Sequence, residues 1–175
     1  MDTLLYIFLG LVLLIIILGL IAPKNYEVNR SIMINKPIAE VFDYLKFLKN
    51  QDNWSPWAER DPNMKKTVAG TDGEIGFISA WESDHKQVGS GEQEITSITE
   101  NKEITSQLRF LKPFKSTSDA YMRVSEEHGN TKVVWGFSGK NKFPASIMML
   151  FMNMEKAVGN DFEQGLAKLK STLEN

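Results

Sequence analysis

From Leu4 to Ala22 the chain reads LLYIFLGLVLLIIILGLIA, an apolar run without a single charge. As a helix of about 19 residues rising ~1.5 Å each, it extends roughly 28 Å, close to the hydrocarbon thickness of a bilayer. The run is apolar on every side rather than striped, unlike a helix packed on a soluble core. A cleaved signal peptide wants a basic n-region, an apolar stretch of ~7–15 residues and a small-x-small exit. Here Asp2 precedes the run with no Lys or Arg, and the exit is Leu20-Ile21-Ala22-Pro23. The chain has no cysteine to carry a lipid anchor. The expectation is a retained single-pass transmembrane helix over residues 4–22, with the lipid bilayer as its first partner. Lys24, Arg30 and Lys36 follow the run and no basic side chain precedes it, which favours a cytoplasmic soluble domain.

Everything after Lys24 reads as one polar domain, 25–174, large enough for its own core. A net charge of −2 and a pI near 5.8 argue against a general nucleic-acid binder, which needs a basic face. The first strand-like segment begins at Tyr26, so no long linker separates the domain from the headgroups.

Tyr26–Ile34 alternates loosely and is read as a strand. Pro37 suits the first turn of a helix, with Asn35 or Lys36 as its cap, and Val41, Phe42, Leu45 and Leu48 recur at helical spacing. That predicts a helix from about Pro37 to Leu48. Residues Asn50–Pro62 form a loop or short helical turns with two tryptophans. Strands are expected over Met64–Val68, Gly76–Glu82, Gly89–Ile98, Glu103–Leu111, Lys115–Glu126 and Thr131–Lys140, broken by Gly- and Pro-containing turns. After Pro144 the period changes. Met154, Val158, Phe162, Leu166, Leu169 and Leu173 make one apolar stripe of a long C-terminal helix. Strand, helix, consecutive strands and a long helix imply an antiparallel α+β domain.

These segments resemble the SRPBCC superfamily, also called START-like or Bet v 1-like, and within it the bacterial polyketide cyclase/dehydrase-type proteins. The resemblance is carried by Pro37-Ile38-Ala39-Glu40-Val41-Phe42-Asp43-Tyr44-Leu45 and by Trp54-Ser55-Pro56-Trp57 with Asp61-Pro62. It continues through Trp81 before Gly89-Ser90-Gly91, Phe110-Leu111-Lys112-Pro113-Phe114 and Thr131-Lys132-Val133-Val134-Trp135, and closes on Leu150–Lys156, Gly159–Glu163 and Gly165–Lys170. It covers nearly all of the chain after the apolar run. It implies the helix-grip fold: a curved antiparallel seven-stranded sheet wrapped around the C-terminal helix over an apolar pocket. It implies little about chemistry, because members include lipid carriers, cyclases, hormone receptors and chaperone regulators. The N-terminal span is not part of the pattern.

Alternation assigns inward faces to Phe77 and Trp81, to Ile104, Leu108 and Phe110, to Ala120, Met122 and Val124, and to Val133, Trp135 and Phe137. Such residues either make the core beneath the helix or line a cavity. Trp54 and Trp57, bracketing Ser55-Pro56, form an entrance gate or staple the helical turns to the sheet edge. Ile147–Met154 (IMMLFMNM) holds four of the eight methionines, side chains that adapt to varied apolar partners. It forms a lip on the pocket, ordinary packing at the helix start, or, with Phe143, Met148, Met149 and Phe151, a patch dipping into the membrane. The candidate ligand-binding set is Trp54, Trp57, Phe77, Trp81, Phe110, Met122, Trp135, Phe151 and Met152.

Groups for catalysis are thin. His85 and His128 sit in charged, turn-like surroundings, and no His/Asp/Glu/Cys set has metal-ligand spacing. No GxSxG, P-loop or GxGxxG occurs. Glu82, Glu92, Glu94, Asp119 and Arg109 lie in strands. An inward carboxylate there would have its pKa raised by burial; Arg109 and Asp119 would equally suit a surface pair. The sequence therefore points to a membrane-tethered binder of a hydrophobic small molecule or lipid, without cofactor or metal and without an identifiable catalytic residue. Two alternatives stand beside it: a cyclase- or dehydratase-type enzyme on an apolar substrate, and an interaction module with a filled cavity that docks a protein partner.

Overall fold

The computed structural model describes residues 2–151 and 153–175. The apolar run folds as α1 (Asp2–Ile21), with its large side chains exposed from Leu4 to Ile21 except the half-buried Leu18. It is long and apolar enough to cross a membrane. Three residues later the chain enters β1 (Asn25–Ile34), followed by α2 (Ile38–Leu45), a 3-10 turn (Leu48–Asn53) and the short α3 (Pro56–Arg60). Six strands follow: β2 (Lys65–Ala69), β3 (Ile78–Glu82), β4 (Ser90–Thr99), β5 (Glu103–Lys112), β6 (Ser116–Glu127) and β7 (Asn130–Lys140). A 3-10 segment (Ala145–Leu150) leads into the long helix α4 (Met154–Glu174).

The strands form one antiparallel seven-stranded sheet in the order β1-β7-β6-β5-β4-β3-β2. Consecutive hairpins build it from β2 to β7, and β1 closes it by pairing with β7. This is the helix-grip arrangement: α4 lies along β1 and reaches β7, while α2 covers β6 and β7. Val28, Ile34, Ile95, Val133, Leu166 and Leu169 are fully buried between these layers. The faces follow the register. Ala120 stands opposite Phe137, Met122 opposite Trp135 and Val124 opposite Val133, all toward the helices.

Two local expectations change. The helix after β1 stops at Leu45 rather than Leu48, because Phe47 is extended and the next turn is held from elsewhere. The Asp72 carboxylate accepts hydrogen bonds from the backbone N–H of Leu48 (2.8 Å) and Lys49 (3.2 Å). The cap of α2 is Pro37 itself, not Asn35 or Lys36, and no side chain bonds there. The far helix is capped by Asn153, whose side chain accepts from the Lys156 N–H.

On the outer face, the Tyr121 hydroxyl donates to Glu27 at 2.6 Å, and the Arg123 guanidinium stacks 4.0 Å over the ring. Burial, and then the Glu27 carboxylate, hold the Tyr121 phenol above its usual range near 10. A phenol that resists ionisation only when folded contributes stability below that range. The contribution is lost as pH rises through the raised folded value. Tyr121→Phe is expected to flatten the alkaline limb of a stability–pH curve measured by urea unfolding; an unchanged slope would show the pair contributes nothing.

Candidate functional site: an aromatic column and a half-open apolar shelf

The space between sheet and α4 is occupied by rings. Trp135 of β7 stacks on Phe162 of α4, with centroids 4.2 Å apart and planes at 23°. Trp54, at the end of the 3-10 turn, meets Trp135 edge-on at 4.8 Å, and Trp57 of α3 meets it at 5.7 Å. Phe137 contacts Phe162 at 5.8 Å, and Tyr26 contacts Phe137 at 5.4 Å. Edge-to-face and offset pairs are the favourable geometries for such rings, each adding about 0.5–1.5 kcal/mol beyond area burial. Trp54 is 1 % exposed and Trp135 7 %. One small void, bounded by Leu45, Leu48, Gln51, Gln93, Ser106 and Trp135 among others, is ≈ 10 Å³. That holds about one water molecule.

The pin that holds this column is ionic. Arg60 of α3 makes a bidentate pair with Asp161 of α4, at 2.9 and 2.5 Å. The Asp161 hydrogen bond holds the Arg60 guanidinium still more firmly protonated. Lys168 and Glu59 form a second bridge between the same helices. Together they clamp Trp57 over the helix. One group in the column is unsatisfied: the buried Trp54 Nε1–H finds no acceptor among the described residues. A buried donor without a partner costs about 1–3 kcal/mol.

The half of the inner face made by β3, β4 and β5 is different. α4 packs on β1 and β7, and here Trp81, Gln93, Leu108 and Phe110 are left half-buried. Trp81 and Phe110 stand edge to face at 6.0 Å on either side of Gly91, their partner in both registers. A Cβ at Gly91 would lie 2.8 Å from the Trp81 ring and 2.6 Å from the Arg109 carbonyl, so only glycine lets the indole lie across β4. The Trp81 Nε1–H donates to the Val88 carbonyl at 3.3 Å, and Gln93 donates to Ser106 at 2.8 Å on the same face. The result is an apolar shelf with an amide and a hydroxyl at its floor.

The sequence-predicted residues therefore divide. Trp54, Trp57 and Trp135 join in the column, with Phe77 and Met122 buried in the adjoining core. Trp81 and Phe110 form the shelf. Phe151 is 79 % exposed and joins neither group, and Met152 lies outside the described residues. Phe162, central to the column, appeared in the sequence only as one member of an apolar stripe.

Arg109, Glu92 and Glu94 point outward from the sheet. Arg109 pairs with Glu92 (2.5 Å) and Glu94 (2.7 Å), not with Asp119, and both carboxylates raise the guanidinium pKa further. Arg30, at the edge of the inner face, bridges to Glu155 and Glu163 of α4. His85 and His128 are exposed in turns. Among the described residues no group of three His, Cys, Asp or Glu side chains could hold a metal. Proton transfer needs an acid or base within hydrogen-bond reach of the substrate. The shelf presents two rings, an amide and a hydroxyl.

Solved structures share this architecture at low identity. The Aha1 dimer from Colwellia psychrerythraea superposes with a TM-score of 0.59 at 14 % identity, over 85 % of this chain and 96 % of that one. A protein from Thermobifida fusca gives 0.62 at 16 % identity, over 84 % and 92 %. Ara h 8.0201 gives 0.53 at 11 %, over 86 % and 98 %. No curated protein matches the sequence. The family described as polyketide cyclase / dehydrase and lipid transport matches residues 26–174, from the start of β1 to the end of α4. By that match, and by the helix-grip sheet and helix it spans, the chain belongs to the polyketide cyclase / dehydrase and lipid transport family of the SRPBCC superfamily.

Proposed function

We propose that the chain is a membrane-tethered binding protein for a hydrophobic small molecule or lipid, with its domain on the cytoplasmic side. The ligand lies against the inner face of the sheet. The observation that carries this reading is the Trp81–Phe110 pair, held half-buried over Gly91 beside the Gln93–Ser106 hydrogen bond. Two large rings left partly in water on a concave apolar wall, with a few polar groups to fix orientation, are the usual composition of a small-molecule site. The family supports ligand binding in general, and α1 supports a lipid neighbourhood. With Glu92 and Glu94 engaged by Arg109 on the outer face, the reading is binding rather than turnover.

The test is native mass spectrometry of the full chain, purified in detergent from its own host, with lipid analysis of a solvent extract. A discrete stoichiometric adduct is expected. Trp81→Ala and Phe110→Ala are each expected to weaken its binding about tenfold, the loss of a partly buried ring contact. The filled column favours one other reading, an interaction module whose inner face docks a protein. A bare mass, with no gain in thermal stability from a panel of lipids and aromatics, would turn the conclusion to that reading.

A further inference from the structure

The register places the start of β1 and the end of β7 on one edge of the sheet, where Asn25 pairs with Lys140. Gly139 pairs with Ser118, and Ser116 with Phe110, so the β5–β6 turn Pro113–Lys115 lies on the same edge. This is the edge from which α1 emerges. The connection there is fixed: the Asn141 backbone N–H donates to the Lys24 carbonyl at 2.8 Å, and its side chain donates to the Pro23 carbonyl at 3.3 Å. The edge ends in two bare rings, Phe114 (75 % exposed) and Phe143 (61 %). Lys24, Lys112, Lys115, Lys140 and Lys142 surround them, all exposed. Glu82, loosely paired with Lys112 at 3.5 Å, and Asp84 lie at its far end. The opposite edge is mixed in charge: Asp72, Glu74, Glu100, Glu126 and Glu127 lie there with Lys36, Lys46, Lys49, Lys102 and Lys132. Phe143 also lies against the helix itself. A Cβ at Gly19 would be 2.9 Å from its ring, two residues inside the end of α1.

We propose that this edge is a second membrane contact, in which Phe114 and Phe143 seat in the headgroup layer of an anionic bilayer and the lysines bind its phosphates. The proposal rests on the reading of α1 as a membrane span. If α1 crosses a bilayer, Phe143 is at headgroup depth by its contact with Gly19, and Phe114 follows on the same edge. Exposed Phe side chains beside basic residues bury at the headgroup/acyl boundary. Each lysine near an anionic surface strengthens attachment about fivefold. The contact therefore orients the domain as well as holding it. The shelf residues Trp81, Gly91 and Phe110 lie at the strand ends nearest this edge, so the shelf opens at the lipid surface.

The absence of cysteine makes single labels unambiguous. A nitroxide is attached to the full chain at Leu111→Cys, beside the turn, at Ile15→Cys inside α1, and at Glu100→Cys on the opposite edge. Each is read in nanodiscs of phosphatidylcholine with or without phosphatidylglycerol. The ratio of oxygen to nickel-chelate accessibility at Leu111 is expected to rise several-fold above that at Glu100 when phosphatidylglycerol is present. Phe114→Asp, or Lys112→Glu with Lys115→Glu, is expected to return Leu111 to the Glu100 value without changing Ile15. An aqueous signal at Leu111 in both lipids, with Ile15 in lipid, overturns the edge contact and leaves the span standing. An aqueous signal at Ile15 overturns both.

Discussion

Trp135→Ala is expected to destabilise the domain by about 3–5 kcal/mol, the range for deleting a buried large aromatic. The indole touches three other rings, stacked on Phe162 and edge-on to Trp54 and Trp57. Its removal takes contacts from the sheet, from α4 and from the α3 turn together. Domains are stable by only about 5–15 kcal/mol, so the loss is a large fraction of the whole. Urea unfolding with tryptophan fluorescence reads it as a lowered midpoint with unchanged slope. Trp135→Phe keeps a ring on Phe162 and should lose markedly less. Were the alanine variant to lose under about 1 kcal/mol, no more than the average point substitution, the column would not be what joins helix to sheet. The alanine variant also opens a dry apolar cavity. Such cavities take up small aromatics, so benzene-like ligands should raise its stability and leave the parent unchanged.

Deleting residues 2–22 is expected to move the protein from the membrane to the soluble fraction. At roughly 0.3–0.6 kcal/mol for each Leu, Ile, Phe or Val in a helix centre, the run contributes about 5–9 kcal/mol of insertion free energy. That is a partition change on the order of a thousandfold or more. The full chain should resist extraction at alkaline pH, and its intact mass should retain residues 1–22. A mature mass beginning near Pro23 would show a cleaved signal instead. Retention of the shortened chain on neutral vesicles would show that α1 is not the anchor. Retention on anionic vesicles alone is the signature expected of the lysine-rich edge around Phe114 and Phe143.

The architecture was legible because its signals are local. Alternation in Thr131–Lys140 named Val133, Trp135 and Phe137 as one face, and the stripe from Met154 to Leu173 named the face of α4; the register and the buried core agree. What was not legible depends on residues distant in the chain. The early end of α2 is set by Asp72, a side chain 24 residues beyond the turn it caps. The stacking of Phe162 on Trp135 joins the last helix to the last strand, and periodicity supplies a face without supplying a neighbour. Arg60 and Asp161, 101 residues apart, carry no local pattern at all. Candidate site residues were harder than core residues for the same reason. Trp54 and Trp81 look alike in sequence, yet one is a buried wedge and the other a half-open wall, because α3 and α4 cover only one half of the sheet.

The three residues between α1 and β1 have no slack, since Asn141 holds two of their carbonyls. Even fully extended, three residues reach only about 10 Å. With α1 in a bilayer, the domain can rotate about the helix axis and drift in the plane of the leaflet, but it cannot cross to a facing membrane carrying cargo. Whatever it takes up must be exchanged with that leaflet, or with a partner that comes to it. On the proposed function the domain is a tethered receiver, and its occupancy would follow the composition of the leaflet it stands in.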